Sequence, residues 1–311
     1  MNVYRHLDSL PDFPRGSVVT LGNFDGVHLG HQQIIDGMCA DAICLDAPTI
    51  VITFDPHPRS FFQPDKPFMS IMSLSRRERY LERAGVDHLL VLPFDSDFAR
   101  VPAESFVGDI LCERLGVRVI HVGEYVAFGH RRGGDLPFLE AQGQRRGFRV
   151  ALVPPVFHLG SRISSTRIRE AIRTGDVSLA GELLGRPHIL EGIVTQGDQR
   201  GRELGFPTAN VRVVEAAMPP NGVYTAWVEG ADGARHGAVV NIGVRPTFGP
   251  ESDFLVEAHL LDFHGDLYAQ ALSVFLVGRL REERRFADAA ALSSQIERDV
   301  MAARQALGTH E

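Results

Sequence analysis

Lysine is almost missing from this 311-residue chain. Lys66 is the only one, so all but one of the 32 basic side chains are arginine. A P-loop needs a lysine directly after its glycines, whereas Lys66 sits between two prolines in QPDKPF. P-loop chemistry is therefore excluded, and Schiff-base chemistry too unless Lys66 is the nucleophile. Any phosphate handled here must meet arginine, histidine, backbone N–H groups or a metal. Cysteine is also scarce: Cys39, Cys44 and Cys112 lack paired ligand spacing and suit a reducing compartment. There is no basic excess, the formal net charge being −7, so nothing global favours nucleic acid or an anionic membrane. Long apolar runs are absent, the greasiest being bounded by Asp46 and Asp55, and residues 1–17 lack the apolar stretch of a secretory signal. These absences lead to the expectation of a soluble, cytoplasmic protein with neither a nucleic-acid nor a membrane partner.

What is present suffices for two hydrophobic cores, with 44% apolar and 23% charged residues. The first part alternates two patterns. Ser17–Leu21, Thr49–Phe54, His88–Leu92, Val117–Val122 and Arg149–Val153 are short β-branched runs suited to buried strands. Between them, Gly30–Ala40, Ser73–Ala84, Pro102–Leu115 and Leu136–Arg146 have amphipathic spacing, and Thr166–Arg173 and Val177–Leu184 follow. Such alternation predicts an α/β, Rossmann-like domain with a parallel sheet, whose ligands bind at the carboxyl ends of the strands. From about residue 186 the strands follow one another without helices: His188–Gln196, Gly222–Glu229, Ala238–Ile242, Leu255–Asp262 and Gln270–Leu276. A small antiparallel β-barrel closed by a helix over Ala287–Ala306 is expected there. The expected domains are thus 1–185 and 186–311.

Gly22-Asn23-Phe24-Asp25-Gly26-Val27-His28-Leu29-Gly30-His31 follows the first strand and opens the first helix. That position offers backbone N–H groups and a positive helix end to an anion. His28 and His31, three residues apart, can converge on one phosphate, although the spacing alone also suits a zinc site lacking its third ligand, or plain surface histidines. At the end of the last strand–helix unit, Ser161–Arg169 reads SRISSTRIR. Ser165 and Thr166 can cap a helix and touch phosphate, and Arg162 and Arg169 supply charge that lysine does not. A cap with solvated arginines is the plainer alternative.

Together, GNFDGVHLGH, TFDPHP at Thr53–Pro58 and ISSTRIR at Ile163–Arg169 resemble the adenylyltransferase half of bacterial bifunctional riboflavin kinase/FAD synthetases. The resemblance implies His28 and His31 at the ATP phosphates, and Gly22, Asn23, Asp25 and Gly30 in the nucleotide site. It also implies Ser165, Thr166 and Arg169 closing over ATP, beside Arg162. One segment departs from that family. Where it has VG-x-D/N-F-x-F-G, this chain reads Val122-Gly123-Glu124-Tyr125-Val126-Ala127-Phe128-Gly129. Either the flavin is gripped differently or adenylylation is weakened.

In the second part, Gly197, Gly201 and Gly205 recur every fourth residue before Phe206-Pro207-Thr208-Ala209-Asn210. Their amides can wrap phosphates, while Thr208 and Asn210 alternate onto one side of an extended stretch and suit magnesium. A turn-rich hairpin is the alternative. Glu257 interrupts the apolar strand Phe254–Leu260 and can serve as a base, or simply be solvated. RGRELGFPTAN, NGVYTAWV, VNIGVRPTFG, VEAHLLDFHGDLY and LREERRF, in that order, resemble riboflavin kinase. This second resemblance implies Thr208 and Asn210 at Mg2+-ATP, Gly201 and Gly205 at its phosphates, Glu257 as base for the ribityl hydroxyl, and Arg281 near the flavin. Gln196 and Val244 stand where the family commonly has histidine and threonine.

The expected activity is phosphorylation of riboflavin to FMN, then adenylylation of FMN to FAD, with ATP as co-substrate and Mg2+ as cofactor. The expected partners are these small molecules, and a homo-oligomer stays open. Rival readings are a riboflavin kinase with an impaired adenylyltransferase site, adenylyl or cytidylyl transfer to another phosphorylated acceptor, and a non-catalytic flavin-binding protein.

Overall fold

Continuous β-branched runs are stable as strands only where both faces of the sheet are covered, and the first part of the chain meets that condition. In the computed structural model, residues 1–13, 16–66, 68–196, 205–213, 215–244 and 254–308 are described. The contacts divide the chain into two units, Met1–Phe68 with Leu74–Ser164, and Met69–Ser73 with Ser165–Glu311.

The first unit is built on β1 (Asn2–Tyr4), β2 (Ser17–Leu21), β3 (Thr49–Asp55), β4 (His88–Pro93), β5 (Val117–Gly123) and β6 (Arg149–Val153). All pair in parallel, in the order β1-β4-β3-β2-β5-β6. The five expected strands are present. The sixth, β1, is a three-residue edge strand, too short and too exposed to carry a hydrophobic signature. Central β2 is buried at four of its five positions. The connecting helices are α1 (Leu29–Leu45), α2 (Pro58–Phe62), α3 (Leu74–Arg83), α4 (Ala103–Ser105) and α5 (Leu136–Arg146). After α4 the helix widens into a π-helical stretch, Phe106–Arg114. With about 4.4 residues per turn, Phe106, Val107, Ile110, Leu111 and Leu115 are buried on one face. Strand order reverses at β2, which has β3 on one side and β5 on the other. Open parallel sheets bind ligands at such a switch point, beyond the carboxyl ends of the strands.

The second unit begins with α6 (Ser165–Thr174) and α7 (Val177–Leu184). Next come β9 (His188–Thr195), β10 (Ala209–Val213), β11 (Gly222–Glu229), β12 (Arg235–Val244), β13 (Phe254–Leu260) and β14 (Ala271–Arg281), and finally α8 (Ala289–Leu307). A two-residue hairpin, β7 (Phe157–His158) and β8 (Ser161–Arg162), precedes this unit. Strands β9–β14 close an antiparallel barrel in the order β10-β13-β12-β11-β14-β9. Along β13, Val256, Ala258 and Leu260 fill the interior while Glu257 and His259 face outward. The sequence marks β10 only as an extended stretch; barrel closure between β9 and β13 makes it a strand. Asp288 caps α8 at Ala291 N, and the helix packs on β11, β12 and β14 through Val300 and Ala303.

Closure forces β9 and β10 together at Gly192, where a Cβ would stand 2.2 Å from the Arg212 carbonyl oxygen. Gly192→Ala is expected to lower stability by about 1–3 kcal/mol, read as a reduced urea midpoint; an unchanged midpoint would mean that the two strands can part freely there.

Candidate active sites

The turn from β2 into α1 is strained and anchored. Phe24 (φ 48°), Gly26 (φ 89°) and Val27 (φ 38°) all have left-handed backbone, which costs a side-chain-bearing residue about 1–3 kcal/mol where the surroundings impose it. Phe24 and Val27 stay there because their side chains are buried. Thr53 Oγ1 on β3 donates to Asn23 O (3.1 Å), and Arg77 Nη1 donates in turn to Thr53 Oγ1 (3.3 Å). Gln32 Nε2 closes the far side on Val27 O at 2.8 Å.

This anchoring fixes His28 as the N-cap of α1, where its Nδ1 accepts from the His31 N–H at 3.2 Å. A neutral His28 then carries its proton on Nε2. The two imidazoles lie face to face, centroids 3.6 Å apart and planes 13° apart, and Phe24 lies 4.9 Å from His31. The two histidines thus form a stack at a helix N-terminus. Gly30 makes room for it, since a Cβ there would stand 3.2 Å from His28 Cε1. Asp25 is fully buried in the same turn, and Gly22 and Asn23 are half-buried at its entrance. Among the described residues no cluster of three or more His, Cys, Asp or Glu is arranged to hold a metal.

Across the switch point, β5 ends at Gly123 and leads to Tyr125, which is 64% exposed. The Arg162 guanidinium lies over its ring, 4.2 Å from the centroid. Ser165 and Thr166 open α6, and Arg169 lies one turn on, half-buried. By contacts α6 belongs to the second unit, whereas Arg162 belongs to the first. A phenylalanine cluster at the ends of β3 and β4 has no counterpart among the sequence expectations. Phe54, Phe61, Phe62 and Phe98 each meet Phe94 edge-on, with ring centroids 5.5–5.7 Å apart, and Phe62 is 64% exposed. Its signal was available as the unusual run Ser60-Phe61-Phe62 after TFDPHP.

On the barrel, strand register gathers the second site. Asn210 of β10 pairs with Glu257 of β13, which pairs with Asn241 of β12. Residues directly opposite share a face, so the three form a row on the outer wall. Asn241 Nδ2 donates to Glu257 Oε2 at 3.3 Å. Asn210 Oδ1 is buried with no hydrogen-bond partner among the described residues, which fits an oxygen kept for a cation or ligand. Thr208 and Asn210 line a cavity of about 520 Å³, together with Thr195, Ala258 and the Phe263–Tyr268 loop. Glu257 is not among the residues that line it: on β13 it faces outward, away from Ala258. Gly205 has φ 86° at the end of the glycine loop. Gly201, with residues 197–204, lies outside the described residues, as does the 245–253 segment.

Comparison with known proteins decides the family. The FAD synthetase family model matches residues 10–167 and the riboflavin kinase model residues 184–307. A curated bifunctional riboflavin kinase/FMN adenylyltransferase from Pseudomonas fluorescens is 42% identical, covering 98% of this chain and 97% of that protein. The protein of the same name from Escherichia coli K12 is 38% identical, covering 99% and 98%. The chain belongs to the bifunctional riboflavin kinase/FMN adenylyltransferase family. A crystal structure described as a macrolide-efflux protein from Streptococcus pneumoniae superposes with a TM-score of 0.88 at 32% identity, covering 97% of this chain and 98% of that one. Among the described residues no helix is long and apolar enough to cross a membrane.

Within this family frame, Arg281 has an occupation that the sequence did not reveal. Its Nε and Nη2 clasp both oxygens of Asp299 on α8 at 2.7–3.0 Å, and Nη1 donates to Glu282 O. Gln295 Nε2 adds a bond to Asp299 Oδ1 (2.9 Å). Both partners are largely buried, with side chains 12% and 6% exposed. Removing one charge leaves the other buried and unpaired, at about 3–5 kcal/mol. Asp299→Ala is therefore expected to lower stability by that amount in urea unfolding, and a loss below about 1 kcal/mol would show that water readily replaces the carboxylate.

Proposed function

We propose that this chain is a bifunctional enzyme that phosphorylates riboflavin with ATP to give FMN and then joins FMN to the AMP part of a second ATP, releasing pyrophosphate. The observation that carries this reading is the presence, in one chain of this family, of two separate and differently built sites: a stacked histidine pair on a helix N-terminus and a barrel row around Glu257. We assign adenylylation to residues 1–185 and the kinase to 186–311. The substrates are small molecules, and the cytoplasm, where flavin and ATP meet, is the proposed location.

In the kinase, Glu257 takes the proton from the ribityl 5′-hydroxyl as that oxygen attacks the γ-phosphorus and ADP leaves. Asn241 holds one Glu257 oxygen by its 3.3 Å bond, leaving the other to face the hydroxyl. Thr208 and the unpartnered Oδ1 of Asn210 would hold magnesium, which supplies neutralisation of the β- and γ-phosphate charge when bound. Backbone N–H groups of the loop through Gly201 and Gly205 meet the remaining phosphate oxygens. Arg281, tied to Asp299, holds the α8 side of the barrel that borders the flavin.

In the adenylyltransferase, the acceptor is the FMN phosphate, already ionised, so no strong base is needed. Its oxygen attacks the α-phosphorus of ATP, and the bond to the β-phosphate oxygen breaks. His28 and His31, with the α1 N-terminus, stabilise the charge gathering on the phosphoryl oxygens and the leaving pyrophosphate. Gly22, Asn23, Asp25 and Gly30 shape the nucleotide site, and Arg162, Ser165, Thr166 and Arg169 bind ATP phosphates. The phenylalanine cluster at the ends of β3 and β4 gives the flavin an apolar platform. A kinase with a weakened second activity is the competing reading, favoured by Tyr125 and Val126.

Incubation with riboflavin, ATP and magnesium, followed by chromatography, is expected to yield FMN and then FAD. FMN alone would support the kinase-only reading, and neither product would leave a flavin-binding protein. Glu257→Gln is expected to reduce FMN formation at least about 100-fold while FAD formation from supplied FMN persists. His28→Ala is expected to reverse the pattern, with FAD formation down by about 100-fold; parallel loss of both activities in either variant would argue against separate sites.

A further inference from the structure

Arg162 has an aromatic ring, not an acceptor, as its partner at the carboxyl end of the first unit's sheet. It lies on β8, where the hairpin register pairs it with Phe157, and the next residue, Ile163, is buried and bonded through its N–H to Val156 O at 2.9 Å. The backbone beneath Arg162 is thereby fixed, and only the side chain remains to be placed. Among the described residues its guanidinium makes no ion pair and no hydrogen bond; it lies over the Tyr125 ring, 4.2 Å from the centroid. Other arginines of this unit are committed to acceptors: Arg149 to Asp41, Arg114 to Leu7 O, Arg5 to Glu78.

Tyr125 is two residues beyond the end of β5, one of the two strands bordering the switch point. A carboxylate here would pair with Arg162, cancel its charge and occupy its N–H groups. An aromatic face attracts the cation through its quadrupole and leaves all five N–H donors unbonded. We infer that Tyr125 is a positioning residue: its ring holds Arg162 extended at the mouth of the switch-point site as an uncancelled, bidentate donor for a substrate phosphate. Tyr125 is thus a replacement of function rather than a lesion in the segment where this chain departs from its family's pattern. The inference rests on the proposed adenylyltransferase reading and names how that site meets phosphate without lysine.

The test is steady-state FAD formation by the full chain from supplied FMN, varying ATP and FMN separately. Tyr125→Ala is expected to raise the KM for the substrate whose phosphate Arg162 meets by about three- to fivefold, the range of an exposed cation–π contact, with kcat changed less than twofold. A rise for ATP alone assigns the phosphate to the nucleotide, and a rise for FMN alone assigns it to the acceptor. Tyr125→Phe, which keeps the ring, is expected to restore the wild-type KM. In an Arg162→Ala background, Tyr125→Ala is expected to add nothing further. The inference is overturned if Tyr125→Ala leaves both KM values unchanged, if Tyr125→Phe is as impaired as Tyr125→Ala, or if the two alanine effects simply multiply. Riboflavin phosphorylation by the same preparations reports that the chain is folded. Failure of the wild-type chain to make FAD at all would instead overturn the adenylyltransferase reading, so the two failures are distinguishable.

Discussion

Burial of Phe24 and Val27 keeps the β2–α1 turn in a shape that the backbone alone would refuse. Each residue sits at positive φ, a cost of about 1–3 kcal/mol. Each buries an apolar side chain worth about 1.5–3 kcal/mol, so the strain is offset within the turn itself. The consequence is geometric. With the turn pinned between Thr53 on one side and Gln32 on the other, His28 has no choice but to cap α1, and its ring must stack on His31. A histidine surface built this way is in place before any ligand arrives, so the phosphate role proposed for it would need little reorganisation.

The barrel reaches the same end by a different constraint. Nothing in β10, β12 or β13 alone brings Asn210, Glu257 and Asn241 together; the antiparallel register does. A slip of one residue on β13 would turn Glu257 into the apolar interior and expel Val256 and Ala258. Those two are fully buried in the barrel core, so hydrophobic burial specifies the position of a carboxylate that contributes nothing to it. Gly192 belongs to this constraint as well, because closure between β9 and β10 brings the strands too close there for a side chain.

Much of this was legible in the amino-acid sequence, for identifiable reasons. Central strands such as β2 and β3 carry uninterrupted β-branched runs because both faces are covered, and helices such as α5 announce themselves through Asp135, Pro137 and Gly147 at their ends. The histidine turn and the Thr208–Asn210 stretch were legible because special backbone needs glycine and proline at fixed offsets. Other features have no local signature. Edge strand β1 exists through three pairings with β4, β10 is a strand because a barrel must close, and the phenylalanine cluster converges from four separate segments. Asn241 reads as one polar residue in an apolar strand, and only its pairing with Glu257 marks it.

Arginine shows most clearly why counting residues falls short of locating a site. A chain with a single lysine must use arginine both to hold itself together and to meet phosphate, and the sequence does not distinguish the two uses. The partners do. Arg281 gives all its nitrogens to Asp299 and Glu282 O and so locks α8 to β14; its charge is spent within the fold. Arg304 is likewise clasped by both oxygens of Asp262. Arg162 rests on an aromatic face, which orients a cation without neutralising it. A guanidinium is available to a ligand to the extent that its neighbours leave its N–H groups unbonded and its charge uncancelled. By that measure the Tyr125 side of the switch point keeps a cation uncancelled, and the Arg281 side of the barrel presents a scaffold.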